Sequence, residues 1–533
     1  MSFDQADLKT QTATTEWWKT GIVYQIYPRS YQDSNGDGIG DLRGIASRLD
    51  HLVDLGVEAI WISPVFPSPM DDFGYDISDY CNIEPIFGTL EDFDALREAV
   101  HARGLKLLLD FVPSHSSDQH PWFQESRASR DNPKRDWYIW RDAKPDGSPP
   151  NNWISEFGGP AWTWDEATGQ YYLSIFLSSQ PALNWRHPEV RAEMLNVLRF
   201  WFERGVDGFR VDAVSHVAPF VDGGDHPANP IWEEHMGPAR SQIHIHGMHQ
   251  EEGFQIVKEM RQVSDAYPDR VLIGEAYGGF EDVMRYYGES LDGFHLPFNF
   301  ALLHSPWNAE HIRHMVEEYE AALPEGAWPN WVLGNHDRSR IASRAGRAQA
   351  KVAATLLLTL RGTPTIYQGD ELGLDDAHIP HDAVQDPWEK QVPGIGLGRD
   401  PVRTPMPWEP GPTAGFTTGT PWLPLHAPQG ADVATQSGAK NSVLNFHRAL
   451  IRLRRAEPAL VTGAYRTVSC QNDVYVYERV LGDDVLTICL NFSGEEKPIN
   501  VSGRLILSSR SERGDADGTP ATIASHEALI LKR

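Results

Sequence analysis

Arg210 and Asp212 stand two residues apart in the stretch 205–216, GVDGFRVDAVSH. The valines and Phe209 around them read as a short strand buried on both faces, and a period of two puts both charged side chains on one side of it. A guanidinium beside a carboxylate lowers its pKa and keeps it ionised, which suits a nucleophile toward an electron-poor carbon. A structural ion pair is the other reading of the same two residues. Further polar groups end apolar runs elsewhere: Asp110 with His115 beyond it, Glu275 after VLIG, and Asn335-His336-Asp337.

The elements that must position these groups alternate. Strand candidates lie at 21–31, 57–64, 105–112, 206–214, 271–276, 293–300, 330–334 and 363–367, with amphipathic helices at 45–55, 90–103 and 190–204 among them. Eight buried strands separated by helices predict an α/β chain with a closed (β/α)8 TIM barrel, and no G-x-G-x-x-G turn follows any strand to suggest a dinucleotide fold. Residues 113–185, rich in Pro, Gly, Asn and Trp, are too long for a connection and predict an inserted small domain after strand 3. A second irregular stretch spans 375–436. The helix 443–455 and the short alternating runs after it predict a C-terminal antiparallel β-sandwich domain. The expected division is a barrel over 1–112 and 186–442, an insertion over 113–185 and a β domain over 443–533.

In such a barrel the strand ends converge on one face, so three carboxylates from different strands should share a cleft. Like charges there repel unless a reaction needs them, and glycoside hydrolysis does. A retaining glycosidase uses one carboxylate as nucleophile and a second as acid and then base, roughly 5 Å away. Asp212 suits the first role and Glu275 the second.

Composition narrows the class. A formal net charge of -27 over 533 residues excludes a nucleic-acid partner. Cys81, Cys470 and Cys489 are far apart, odd in number and without metal spacing, which fits a reducing cytoplasm. The first sixteen residues carry no apolar leader and the apolar run 352–360 is too short to span a bilayer, so no membrane association is expected. In 33–41, DSNGDGIGD, oxygen side chains at 33, 35, 37 and 41 alternate with glycines. That spacing suits a hard cation, or a series of Asx turns closed on the backbone.

The motifs GFRVDAV, GEA, GNHD, DFVPSHS and QPALNW resemble those of glycoside hydrolase family 13, the α-amylase family, and the likeness runs from YQIYPRSYQDSNGDGIGDL through GRDPVRTPMPWE. The nearest branch is that of the α-glucosidases and oligo-1,6-glucosidases. The resemblance implies Asp212 as nucleophile, Glu275 as acid/base and Asp337 as a third acid that grips sugar hydroxyls. It also implies a terminal-glucose pocket lined by Asp72, Tyr75, His115, Phe176, Arg210, His336 and Arg399, with Phe157 nearby. Ala213, after the nucleophile, is the position that goes with linkage preference. Asp33, Asn35, Asp37, the carbonyl of Ile39 and Asp41 become ligands of a structural Ca2+ or Mg2+, and no organic cofactor is implied. Ser114 stands where the family usually has Asn, so a second calcium is not expected, and Ala182 replaces the Asp of QPDLNW. The implied activity is an exo-acting retaining α-glucosidase that releases D-glucose from maltose and similar small α-glucosides, mainly α-1,4, with transglucosylation, as a monomer or homodimer. Sucrose-acting enzymes, oligo-1,6-glucosidase and trehalose synthase share the fold. A non-catalytic partner-binding relative would need a membrane anchor and would tend to lose the acids. Residues 218–253, longer than a barrel loop requires, are expected to close the space beyond the second sugar.

Overall fold

The computed structural model describes residues 16–510, 513 and 519–533; the polar N-terminal stretch discussed above lies almost wholly outside them. Eight parallel strands, β1 (Val23–Ile26), β2 (Ala59–Ile62), β3 (Lys106–Phe111), β4 (Gly208–Val211), β5 (Val271–Gly274), β6 (Leu296–Pro297), β7 (Asn330–Val332) and β8 (Thr363–Tyr367), pair in the order β7-β8-β1-β2-β3-β4-β5-β6. A parallel bridge between Asn299 and Trp331 joins the two ends and closes the barrel. The predicted strand 293–300 shrinks to two residues there because Pro297 has no N–H to extend the ladder.

The period of two sorts the strand side chains. Val23, Ala59, Trp61, Leu108, Val271 and Ile273 form the interior cluster, whereas their neighbours Tyr24, Ile60, Ile62, Leu107, Leu109 and Leu272 pack outward against helices. Leu108 pairs with Gly208, Asp110 with Arg210, and Arg210 with Ile273. Asp110 and Arg210 therefore share the inward parity, one layer above the apolar filling. Trp61 supplies the surface beneath, its ring 5.1 Å from the Arg210 guanidinium carbon.

Helices cover the outside. The predicted helix 45–55 is two, Leu42–Ser47 and Leu49–Leu55. The break falls at Arg48, whose guanidinium is drawn to the Gln32 side chain and over the Trp408 ring. Gly56 ends the second helix at φ 97°, a left-handed cap that a side chain would strain. Helix Val443–Ala456 packs against Ala350–Thr359 and Leu49–Leu55, the seventh and first helices of the ring, and completes it. It thus belongs with the barrel layer, and the antiparallel strands begin at Ala464.

Those strands, Ala464–Gln471, Val474–Leu481, Asp484–Asn491, Ala528–Lys532 and Arg504–Ser508 in spatial order, form one sheet. A two-stranded ribbon, Lys497–Pro498 with Thr522–Ile523, lies on one face and the barrel helices on the other, so the second layer of the sandwich is small. Buried Arg479, on the second of these strands, locks the sheet to the barrel by donating to the carbonyl of Thr359 at the end of the helix Ala350–Thr359, and buried Arg454, on Val443–Ala456, donates to the carbonyls of Leu358 and Gly362 beside it. Between β3 and the helix Pro188–Glu203, the strands Trp140–Arg141, Gln170–Leu173 and Trp162–Asp165 make a small antiparallel sheet with its own core around Trp153, Trp162 and Leu173. Val221, from the long connection after β4, enters that core.

Candidate active site

At the C-terminal end of the barrel one guanidinium meets three carboxylates. Arg210 Nη1 donates to Asp110 Oδ1 at 2.8 Å and to Asp212 Oδ1 at 2.7 Å, and its Nη2 lies 2.7 Å from Glu275 Oε1. Glu275 is further held by the backbone N–H of Ala213 at 2.9 Å and the Tyr277 hydroxyl at 3.0 Å. Ala213 itself sits at φ 40°, a left-handed conformation that turns its N–H from the strand toward Glu275. Burial pushes Asp212 well above the usual carboxylate range despite Arg210, and pushes Asp110 up to about 6. Arg210 lowers the Asp212 pKa as expected, but one cation is divided among three buried acids, and desolvation outweighs it.

Two further arginines, both from the irregular stretch after β8, hold the other acids of the site. Arg399, from the irregular stretch after β8, is clamped between Asp386 Oδ1 at 2.6 Å and Asp72 Oδ1 at 2.7 Å, with Phe157 4.9 Å from its guanidinium carbon. Arg403 donates to Asp337 Oδ1 at 2.8 Å. Burial alone would raise the Asp337 pKa, but His336 and the guanidiniums of Arg403 and Arg399 hold it well below the usual range. Burial drives His336 well below the ordinary imidazole value, so it is neutral and the two guanidiniums carry that effect. Gln25 Nε2 donates to His336 Nδ1 at 2.7 Å, which leaves Nε2–H for the Tyr75 oxygen at 2.7 Å and the Tyr75 hydroxyl for Asp110 Oδ2 at 3.1 Å. The Tyr75 and His336 rings stack at 5.4 Å. His115, pushed down to about 4 by burial, is held with Nε2–H donating to the carbonyl of Tyr75 and Nδ1 facing the Ser114 hydroxyl. Phe176 packs 5.1 Å from it.

Asp72, Tyr75, His115, Phe157, Phe176, Asp212, Ala213, Glu275, Asp337 and Arg399 thus line one pocket, with Arg210 and His336 directly behind its wall. Sequence reasoning missed Glu156, His216, Arg240, Tyr277, Arg338 and Trp388 on the same wall. Two of them were within reach: His216 closes the stretch that carries Asp212, and Tyr277 lies two residues beyond Glu275. Glu156 and Arg240 come from separate insertions and meet at 3.2 Å, a juxtaposition that no local spacing encodes. The connection 218–253 is ordered against the insertion through Asn152 with His226, Trp153 with Gly224 and Arg141 with Asp222.

The loop 33–41 lies apart from the pocket. Asp33 accepts from the N–H groups of Asn35, Gly36 and Gly38 and from Thr417, Asn35 from Asp37, and Asp37 from Ile39. Asp41 accepts from Ser34 and Gly44 and caps the first helix. Among the described residues no three Asp, Glu, His or Cys side chains converge as a metal site. The all-oxygen donor set fits a hard cation if it includes the Asn35 amide oxygen and the Ile39 carbonyl.

The α-amylase catalytic-domain model matches residues 25–463. A protein named probable alpha-glucosidase from Rhizobium meliloti (strain 1021) is 43% identical over 97% of this chain and 95% of its own length. An oligo-1,6-glucosidase of Heyndrickxia coagulans is 40% identical over 90% of this chain and 92% of its own. Among solved structures, an alpha-glucosyl transfer enzyme, XgtA, superposes with a TM-score of 0.92 at 40% identity, covering 97% of this chain and 99% of that one. The trehalulose synthase MutB from Pseudomonas mesoacidophila MX-45 gives 0.88 at 36% identity over 97% and 99%. With the barrel, the acid cluster and these matches together, the chain belongs to the α-amylase family, glycoside hydrolase family 13.

Proposed function

We propose that this chain is an exo-acting, retaining α-glucosidase that releases D-glucose from small α-glucosides such as maltose, mainly at α-1,4 bonds, and also transfers the glucosyl unit to acceptors. The observation that carries this reading is the single Arg210 guanidinium that holds Asp212 and Glu275 side by side on the pocket wall. Two carboxylates at such close quarters suit double displacement, where they stand roughly 5 Å apart. Asp212 attacks the anomeric carbon while Glu275 gives its proton to the departing oxygen; water then enters, Glu275 takes a proton from it, and Asp212 leaves. Asp337, kept anionic by Arg403 and Arg399, is placed to accept hydrogen bonds from ring hydroxyls, and the Asp72–Arg399 pair forms the closed end that limits the enzyme to terminal glucose. We propose that it works as a monomer or homodimer in a reducing cytoplasm; no described helix is long and apolar enough to cross a membrane, and the three cysteines are unpaired.

If these roles hold, Glu275→Gln loses about 10²- to 10⁴-fold in kcat/KM on maltose and far less on α-glucosyl fluoride, whose leaving group needs no proton. Asp212→Asn abolishes both. Equal losses on the two substrates in Glu275→Gln would reverse the assignment.

Ala213 lines the pocket beside the nucleophile, and a β-branched side chain there would narrow the space left for the departing sugar. Maltose is expected over isomaltose. Ala213→Val should move the ratio of their specificity constants toward isomaltose and, because a β-branched residue tolerates this left-handed φ less well than Ala, lower the midpoint of a denaturant titration. An unchanged ratio would mean that the linkage is read elsewhere.

Arg240 brings the connection 218–253 to the pocket wall, which supports a limit on chain length. Specificity constants should fall about tenfold or more from maltose to maltotriose, and the fall should shrink when 223–247 becomes a short Gly/Ser linker. Equal handling of maltose and maltopentaose by the intact enzyme would contradict this.

We also propose that Asp33, Asn35, Asp37, the Ile39 carbonyl and Asp41 hold Ca2+ or Mg2+. None of them lines the pocket, so the ion would brace the loop and supply no chemistry. EDTA should lower Tm and leave turnover intact wherever the protein stays folded; lost turnover in folded protein would refute a purely structural ion.

A further inference from the structure

Asp72 and Tyr75 line the catalytic pocket from the segment 68–76, SPMDDFGYD. Met70 and Phe73 lie in the left-handed region at φ 69° and 49°, and Gly74 follows at 108°. Two residues with side chains stay in that region only where their surroundings dictate the backbone. On the outer side Phe73 packs 5.3 Å from the Trp422 ring and 5.2 Å from the Arg29 guanidinium carbon. On the inner side the segment folds over Asp76, a fully buried acid that does not line the pocket.

Asp76 gathers the amide donors of this turn. Its Oδ2 accepts from the Asp71 N–H at 2.9 Å, and its Oδ1 accepts from the Asp72 N–H at 3.1 Å and the Ser68 hydroxyl at 2.7 Å. The Ser68 oxygen in turn accepts from the Met70 N–H at 2.9 Å. Three consecutive N–H groups, 70 to 72, therefore end on one carboxylate, directly or through one hydroxyl, in the kind of seat that turns offer to anions. Asp72 and Asp337 meet arginines, whereas these three donors to Asp76 are neutral. A buried carboxylate is unfavourable unless its oxygens are bonded, and here both are. A neutral amide of the same shape would keep one acceptor and turn its NH2 toward a group that already donates.

We infer that Asp76 is a positioning residue: its carboxylate holds the segment 68–76 in its left-handed course and so fixes Asp72 and Tyr75 against the terminal sugar. The inference deepens the proposed glucosidase reading and rests on it for the identity of that sugar. Asp76 acts through Asp72, whose own oxygens go to Arg399 at 2.7 Å and Gln180 at 3.0 Å, and through Tyr75, whose ring stacks on His336. Its effect should therefore fall on the sugar that Asp72 and Tyr75 hold and be the same whichever group departs.

The test compares Asp76→Asn with the unaltered full chain at a pH of about 7.5, above the value of about 6 to which burial pushes Asp76. Hydrogen exchange read by mass spectrometry should speed up in the peptide that spans 68–76 and stay level in peptides from β2 and β3. The inhibition constant for D-glucose, which does not depend on the fraction of active protein, should rise about tenfold. The specificity constants for maltose and isomaltose should fall by one common factor. In an Asp72→Asn background the further rise in the inhibition constant should shrink to about threefold or less, because the two residues lie on one path. Ser68→Ala removes one donor to Asp76 and the acceptor of the Met70 N–H; it should give a smaller change of the same kind, and it decides the matter if Asp76→Asn fails to fold. Unchanged exchange over 68–76, an unchanged inhibition constant, a shifted ratio of maltose to isomaltose, or losses that simply add to those of Asp72→Asn overturns the inference. Failure of the unaltered chain to hydrolyse any α-glucoside would instead refute the function proposed above, and the exchange arm, which needs no turnover, would still decide whether Asp76 holds the segment.

Discussion

The site depends on one constraint: Asp110, Asp212 and Glu275 are buried together, and Arg210 is the cation in direct contact with all three. Like charges about 4 Å apart repel by ~4 kcal/mol at an effective dielectric near 20, so the three acids cannot share this space unaided. Burying the arginine alone would be as unfavourable; paired, each ion offsets the desolvation of the others. The pairing follows from strand register. Asp110 and Arg210 are direct partners across β3 and β4, Arg210 faces Ile273 on β5, and Glu275 follows on the same parity two residues later. A slip of one residue in any of these strands would turn the charge outward against the helices.

Everything around that cluster limits what can approach it. The interior of the barrel below is filled by Trp61, Leu108 and Ile273, so the acids can be reached from the loop side alone. There the late irregular stretch sends in Arg399 and Arg403, which anchor Asp72 and Asp337, and the insertion after β3 meets the connection after β4 through Glu156 and Arg240. Aromatic rings fix the remaining polar groups: Tyr75 against His336, Phe157 against Arg399, Tyr277 against Phe300. The pocket is rigid because most of its polar groups are already spoken for, which is the preorganisation that charge development in a transition state requires.

The barrel was legible in the sequence because its signal is local. Each of the eight strands is a short apolar run closed by a turn, and all eight appear near the expected residues. Where tertiary contacts override local pattern, the reading slipped: Arg48 splits one helix into two, Pro297 cuts β6 short, and helix Val443–Ala456 joins the barrel ring and not the β domain. The acids were legible from their motifs, and the pocket gathers the ten named residues that line it. Their electrostatics were not legible from spacing. Arg210 next to Asp212 suggested a simple pair, yet burial outweighs Arg210 in the Asp212 pKa, and Glu275 and Asp110, which lie far off in the chain, push it further up. Glu156, Arg240 and Trp388 were invisible for the same reason, since each comes from an irregular segment whose partner is chosen by the fold.

In the proposed mechanism Arg210 presents Asp212 to the anomeric carbon while Glu275 serves as proton carrier. Brief reaction with 5-fluoro-α-D-glucosyl fluoride, which slows departure of the glycosyl unit, followed by peptic digestion and mass spectrometry, tests it most directly. One sugar is expected on the peptide that contains Asp212, attached to that carboxylate. A sugar on Glu275 or Asp337, or no covalent adduct from an enzyme that still turns the reagent over, would contradict it.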